Sequence, residues 1–444
     1  MSIQASNTPL AGTNPSTSST AAAESTYRKV WRRIVPFLFI SYVIAILDRN
    51  NIGFAQLQMK QDLGLTDAMY SLGAVIFFVG YFLFEVPSNM LLHRFGARLS
   101  FARIMVLWGL SSVLMVLVSD TTHFYLLRFL LGVFEAGFFP GVVFYLTFWF
   151  PGKRRAGVLS WFYAGVAVAG VLGGLVSGWI MRHLGGVAGY YGWQWMFALE
   201  GAPAVVLGLL ALVVLKDRPA DAPWLQESEK HLIQNELAAE RALHPGSDDH
   251  SALAALRNPM VYGFAFVYFC LTSGLLLLLF WMPSMIKDLG IQDIVQISLY
   301  SAIPNAVGAV GVILLARHSD RQRERHWHFV LSIVAAAISL VVMTLHPASL
   351  LVSLLLLAVA AVSIYGAHPI FWAVPSTVFR GAGAAASIAL VSSIGVSSGM
   401  ITPWIIGQIK TYTGSMDYAF YFVAALLLAS AVVMSRLLRR TGQH

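Results

Sequence analysis

The chain has 444 residues, 57% of them hydrophobic and 11% charged, with mean hydropathy +0.70 and a formal charge of +8. That balance excludes a soluble globular domain and describes an integral membrane protein. The single cysteine, Cys270, excludes a disulfide framework and a thiolate metal site, and the basic residues recur in short clusters between apolar runs, a pattern of membrane orientation rather than of nucleic-acid binding.

Residues 1–26 are rich in Ser, Thr and Ala and lack the apolar core of a signal peptide. We read 1–33 as a disordered cytoplasmic tail. Twelve apolar segments follow, at 34–57, 69–92, 100–118, 124–148, 156–182, 194–216, 259–284, 296–316, 327–345, 349–373, 382–408 and 417–437. Each has the ~20 residues needed to cross ~30 Å of hydrocarbon. With the N-terminus inside, 23 of the 29 Lys and Arg fall on the cytoplasmic side, only Lys60, Arg182, Lys287 and Lys410 fall opposite, and Arg49 and Arg128 lie within the membrane. Both termini are therefore expected in the cytoplasm.

The long polar stretch 218–258 divides six segments from six. Its amphipathic part, 225–242, suits a solvated connector better than a partner site. The expected organisation is an N-terminal six-helix bundle over 34–217, a connecting loop over 218–258, a C-terminal six-helix bundle over 259–438 and a cytoplasmic tail over 439–444. Arg94 and Arg321 are offset by 227 residues, and Pro140 and Pro369, like Gly178 and Gly407, by 229. A near-constant offset implies a parallel internal repeat, with substrate bound between two rocking halves.

Charges inside apolar segments mark a pathway by default. In the fourth segment, Arg128 and Glu135 are two helical turns apart and share a face. Glu135 can take up and release a proton, while Arg128 and Arg49 offer permanent charge, in bidentate form, to an anion. A structural ion pair, Arg128 with Glu135 or Asp48 with Arg128, is the other reading. Asp48 and Arg49 in AILDRNNIGFA point ~100° apart and can address different neighbours. They form either an interior functional pair or an interfacial one. In the second segment Tyr81 and Glu85 share a face; Tyr81 is the better carboxylate donor, and Glu85 reads as a structural acid.

The second half carries almost no membrane charge. Its polar spots are Tyr268, Thr272, Asn305, Tyr365, His368, Trp372, Ser392 and Ser393, which supply shape and hydrogen bonds. His368 can titrate, although a histidine beside proline is more often a hydrogen-bonded structural residue. The Gly- and Ser-rich fifth and eleventh segments suit close helix packing.

The sequence resembles the major facilitator superfamily, and within it the anion:cation symporter family. The residues that carry this are LDRNNIGFA at 47–55, FEVPSNMLLHRFGAR at 84–98, RFLLGVFEAGFFPG at 128–141, YLTFWFP at 145–151, GWQWMFALEGAPA at 192–204 and RHSDRQRER at 317–325. The resemblance implies an all-α fold of twelve transmembrane helices in two pseudo-symmetric six-helix bundles. It implies a proton-coupled importer of small organic anions such as sugar acids, tartrate-like hydroxy-dicarboxylates or aromatic acids. Asp48 and Glu135 would then couple protons, and Arg49, Tyr81 and Arg128 would hold the carboxylate. Glu85, Asn89, Arg94, Arg98, Asp320 and Arg321 would be gating or structural residues. The usual acid of the first loop signature is absent, its place taken by Asn89 and His93, and the fifth segment has no glutamine. With Trp161, Tyr163, Tyr365 and Trp372 as candidate lining, this favours an aromatic or less hydroxylated carboxylate.

The expected protein is a monomeric, multi-pass symporter of the bacterial inner membrane, with a small organic anion and the lipid bilayer as partners. No nucleic acid, metal or cofactor is expected beyond the coupling proton. A proton-driven exporter of a drug or metabolite is the transport rival. A membrane-embedded enzyme or a sensor is the rival of another class; against the enzyme stands the lack of a zinc or Ser/His/Asp set at depth.

Overall fold

The computed structural model describes residues 15–243, 257–322, 324–379 and 384–441, and among these there is no strand. Hydrocarbon offers no partner for a backbone N–H or C=O, so each segment must satisfy its own in a helix. The elements are α1 (Pro15–Asp62), α2 (Asp67–Phe95), α3 (Ala97–Leu114), α4 (Thr121–Glu135), α5 (Phe138–Leu146), α6 (Gly152–His183), α7 (Gly192–Val214) and α8 (Glu227–Leu243). In the second half come α9 (Pro259–Asp288), α10 (Ile294–Gln322), α11 (His326–Met343), α12 (Leu350–Ala373), α13 (Pro375–Val378), α14 (Ala384–Val396), α15 (Ser398–Thr413) and α16 (Asp417–Thr441). Among the described residues 11 stretches are long and apolar enough to span a membrane, and α6, 32 residues long, occupies the place of the fifth expected segment.

The packing repeats between the halves. α3 lies along α7 as α11 lies along α16, α2 along α4 as α10 along α12, and α1 along α6 and α7 as α9 along α14 and α16. The seams between halves repeat too: α6 meets α10, α2 meets α15, and α1 meets α9. At these seams small residues permit close approach. Gly178 faces Ser298 and Gly407 faces Ser71; Gly170 faces Asn305 and Gly399 faces Phe78. The glycines of each pair of seams are 229 residues apart and their partners 227, the same offsets seen in the sequence. Every one of these contacts lies towards the end of the molecule that carries the loops at 62–67, 184–191, 288–294 and 413–417. Hydrogen bonds from Gln56 Nε2 to the Phe280 carbonyl (2.6 Å) and from the Ala68 amide to Thr411 Oγ1 (2.8 Å) close the same end.

Two expectations about the polar segments are corrected. Residues 15–33, read as part of a disordered tail, continue α1 as helix. Three alanines among seven Ser and Thr give only weak helix propensity, and tertiary contacts hold the helix. Tyr27 is buried, its ring 6.0 Å from that of Phe150 and 4.5 Å from the Arg154 guanidinium, and its hydroxyl donates to Glu236 (2.9 Å). Residues 1–14 of that tail, 244–256 of the connector and 442–444 of the C-terminal tail lie outside the described residues. The amphipathic part of the connector is α8, and it is docked rather than free: Glu229 pairs with Lys29 at 2.9 Å, and Glu240 accepts from the Gly152 amide at 3.0 Å.

The fourth segment, expected as one helix, breaks between α4 and α5 at Ala136 and Gly137, where Gly137 has φ 84°. A Cβ at Gly137 would also lie 2.8 Å from Ser88 Cβ. Gly137→Ala should therefore lower stability by about 1–2 kcal/mol through the left-handed backbone alone, read as a fall in the unfolding midpoint in detergent. An unchanged midpoint would show that the break relaxes freely.

Candidate functional site

The break in the fourth segment leaves Glu135 as the last residue of α4, with its side chain turned inward and 1% exposed. Glycine spacing brings α4 against α2, because Gly132 lies directly against the Phe77 backbone. Glu135 Oε1 forms an ion pair with Arg49 Nη2 from α1, and Glu135 Oε2 has no hydrogen-bond partner. The alternatives considered from sequence are thus resolved differently: the cation on Glu135 is Arg49, not Arg128. The Arg49 guanidinium carbon lies 5.3 Å from the Tyr81 ring and 5.5 Å from that of Phe77. Cation–π attraction of this kind holds a desolvated guanidinium in place.

Asp48 points elsewhere, as its ~100° offset from Arg49 on the helix requires. It is fully buried, and its Oδ1 accepts from the Ser112 hydroxyl and from Asn51 Nδ2 (3.1 Å). Its Oδ2 has no partner. Arg128 is also fully buried, donates from Nε to the Gly73 carbonyl at 3.3 Å and lies 4.8 Å from the Phe77 ring that Arg49 also approaches. Neither Nη1 nor Nη2 of Arg128 has a hydrogen-bond partner. A buried guanidinium whose two terminal N–H groups are unspent has the donor geometry to pair with a carboxylate, and leaving a buried charge unpaired is costly.

The same part of the fold holds an acid that the sequence reading passed over. Glu200 of α7 is 3% exposed, accepts from Ser177 Oγ at 2.7 Å through Oε1, and leaves Oε2 unpartnered. Ser112, the partner of Asp48, reaches the Phe197 carbonyl at 3.4 Å on the adjoining turn of α7. The signal was present: an acid inside the apolar run 192–214 meets the same criterion that singled out Glu135.

From the second half, Tyr365 donates to Asn305 Oδ1 at 2.7 Å, and Asn305 donates to the Ser301 carbonyl at 3.0 Å. The Tyr268 ring lies 6.1 Å from that of His368 and 4.8 Å from that of Trp372. His368 Nδ1 is bonded to the Ile364 carbonyl at 2.8 Å while Nε2 is without a partner, so a structural hydrogen bond accounts for one nitrogen only. Ser392 and Ser393 do meet the first half: with Tyr81, Glu85, Phe78 and Met400 they line a cavity of ≈ 40 Å³ between α2 and α14–α15. That volume admits water-sized groups only.

The remaining candidates sit away from this cluster. Asn89 donates to the Glu85 carbonyl (2.9 Å) and borders Gly137; Arg98 offers its backbone amide to Asp217 (2.9 Å). Arg94 lies over the neighbouring Phe95 ring (5.4 Å), and Arg94 and Arg321 are exposed. The side chain of Asp320 lies outside the described residues, as does that of Tyr163. Trp161 does not line the site: it is 52% exposed and packs edge-on against Trp31, which removes one support for an aromatic substrate.

Two repeated helical halves with buried charges inside the apolar segments are the organisation of a secondary membrane transporter. The chain belongs to the Major Facilitator Superfamily, whose family model matches residues 38–403. It is 46% identical over 417 residues, 94% of this chain and 95% of the relative, to an Agrobacterium vitis protein named as a tartrate transporter. It is 38% identical to a quinolone resistance transporter of Acinetobacter baumannii (91% and 93% covered) and 34% identical to the inner membrane transport protein RhmT of Escherichia coli (95% and 98% covered). Among solved structures, the partially occluded, inward-open xylose transporter XylE from E. coli superposes with TM-score 0.72 at 17% identity, covering 91% of this chain and 97% of that one. At that identity the likeness concerns the fold.

Removing one member of a buried pair strands the other, at a cost of about 3–5 kcal/mol, whereas removing both costs far less. Arg49→Gln and Glu135→Gln should each lower the unfolding midpoint, and the double variant should recover most of the loss. Additive losses would show that the two side chains do not act as a pair.

Proposed function

We propose that the protein imports a small hydroxy-dicarboxylate across the bacterial inner membrane, driven by protons, by alternating access. The observation that carries this is Arg128: fully buried, with both terminal nitrogens unspent beside a second arginine whose only carboxylate partner among the described residues is Glu135. A tartrate-named relative at 46% identity supports a hydroxylated diacid over the aromatic acid favoured from sequence.

The coupling follows from charge balance. Ionised Glu135 occupies Arg49; a proton on Glu135 frees Arg49 for an anion. Substrate carboxylates then bridge Arg128 and Arg49, and Tyr81, whose ring already faces Arg49, donates from its phenol. Asp48, held by Ser112 and Asn51, is the second proton-exchanging acid. Proton and anion together leave fewer unpaired charges than either alone, and that difference biases the rocking of the halves. With termini inside, as the Lys and Arg distribution supports, the closed end faces outward and the molecule is inward-facing.

In proteoliposomes, Glu135→Gln should abolish concentrative tartrate uptake and retain counterflow exchange. Accumulation at the wild-type level in that variant would sink the coupling role, and absence of tartrate flux in the wild type would sink the substrate class. Gly178→Trp with Gly407→Trp cannot close the outer seams, since even a Cβ there collides with Ser298 and Ser71. Spin labels placed across that end should move apart and exchange should be lost; unchanged label distances would show that these seams do not form the gate. The quinolone-resistance relative supports a second reading, antiport export. Reversing the proton gradient separates the two, because only an exporter then drives substrate into the vesicle lumen from the face homologous to the cytoplasm.

A further inference from the structure

We propose that the basic crevice at the start of α1 binds the headgroup of an anionic phospholipid. The crevice, ≈ 410 Å³, is lined by Ser25, Arg28, Lys29, Arg32 and Arg33 of α1 and by Glu229 of α8. The α1 residues recur at three- and four-residue spacing, which places them on one side of the helix over two turns. The charges there do not cancel. Lys29 is taken by Glu229 at 2.9 Å, whereas Arg28, Arg32 and Arg33 are exposed and have no ion-pair partner among the described residues. Three guanidinium groups thus face a crevice whose one acid is already neutralised.

Its depth is that of a headgroup. The apolar run of α1 begins directly after Arg33, and Ile40, two turns further, is 51% exposed on the lipid-facing surface. Trp161 of α6, 52% exposed, sets its ring edge-on to Trp31 at 5.9 Å and to Phe39 at 6.5 Å. Exposed tryptophan packed at this level marks the boundary between hydrocarbon and headgroups. A phosphodiester offers two anionic oxygens, which suit the planar fork of arginine, and basic clusters just outside a spanning helix select anionic lipid. A seated headgroup touches both α1 and α8, and α8 belongs to the segment joining the two halves. Anionic lipid therefore fastens the connector to the N-terminal half.

The test uses the full chain in nanodiscs. Wild-type protein taken from discs containing phosphatidylglycerol should retain bound phosphatidylglycerol through a detergent wash, measured by native mass spectrometry. The Arg28→Gln, Arg32→Gln, Arg33→Gln variant should retain about tenfold less. A charge-matched control, Arg257→Gln, Arg436→Gln, Arg439→Gln, should retain as much as wild type; equal loss in the control would overturn the site, because retention would then track net charge. Phosphatidylglycerol should also slow proteolysis within 227–243 in the wild type and not in the triple arginine variant. Inorganic phosphate added to phosphatidylcholine discs should not reproduce that protection. If it did, the crevice would be a soluble-anion site and the lipid assignment would fall.

Discussion

A guanidinium or carboxylate moved into hydrocarbon must find a counter-charge or stay exposed to several kcal/mol of uncompensated desolvation. The first half of this transporter is built around that constraint. Arg49 and Glu135 satisfy each other across α1 and α4, and the Phe77 ring lies within 5.5 Å of both the Arg49 and the Arg128 guanidinium. Arg128, Glu135 and Asp48 each keep at least one unpartnered polar atom at full burial. A static scaffold would be expected to satisfy those atoms. A site that exchanges protons and anions needs them available.

The uncharged second half follows from the same constraint. The proposed anion, met by two arginines of the first half, would need shape and hydrogen bonds from the far side, not more charge. Tyr365, Asn305, Tyr268 and the Ser392–Ser393 pair are of that kind, and Asn305 also lies on the seam against Gly170. Asn305 on α10 thus bonds Tyr365 and also lies on a seam between the halves. Movement of one half on the other cannot leave the site unchanged.

Outside the membrane, the polar segments form a second layer of control. The extension of α1, the start of α6 and α8 are tied by Lys29–Glu229, Tyr27–Glu236 and Gly152–Glu240. Only Lys29–Glu229 among these is an ion pair, and a single partly exposed pair contributes little. Three polar ties on one helix, beside a surplus of arginine, make its docking sensitive to the lipid surface.

The constant offsets pointed to the repeat, and apolar run length determined the helical class and the approximate spans, because ~20 apolar residues in lipid have only one economical conformation. It also singled out Asp48, Arg49, Arg128 and Glu135, since charge within such a run is rare enough to be informative. Glu200 was legible by the same rule. Partner choice was not: Arg128 and Glu135 share a helix face, yet the break at Gly137 and the approach of α1 give Glu135 to Arg49. Nor could composition show that residues 15–33 fold, because their helix is held by α8 and α6, about 120 to 220 residues away in sequence. Pairing, seam closure and the docked connector depend on distances between helices, and those are fixed only when the helices pack.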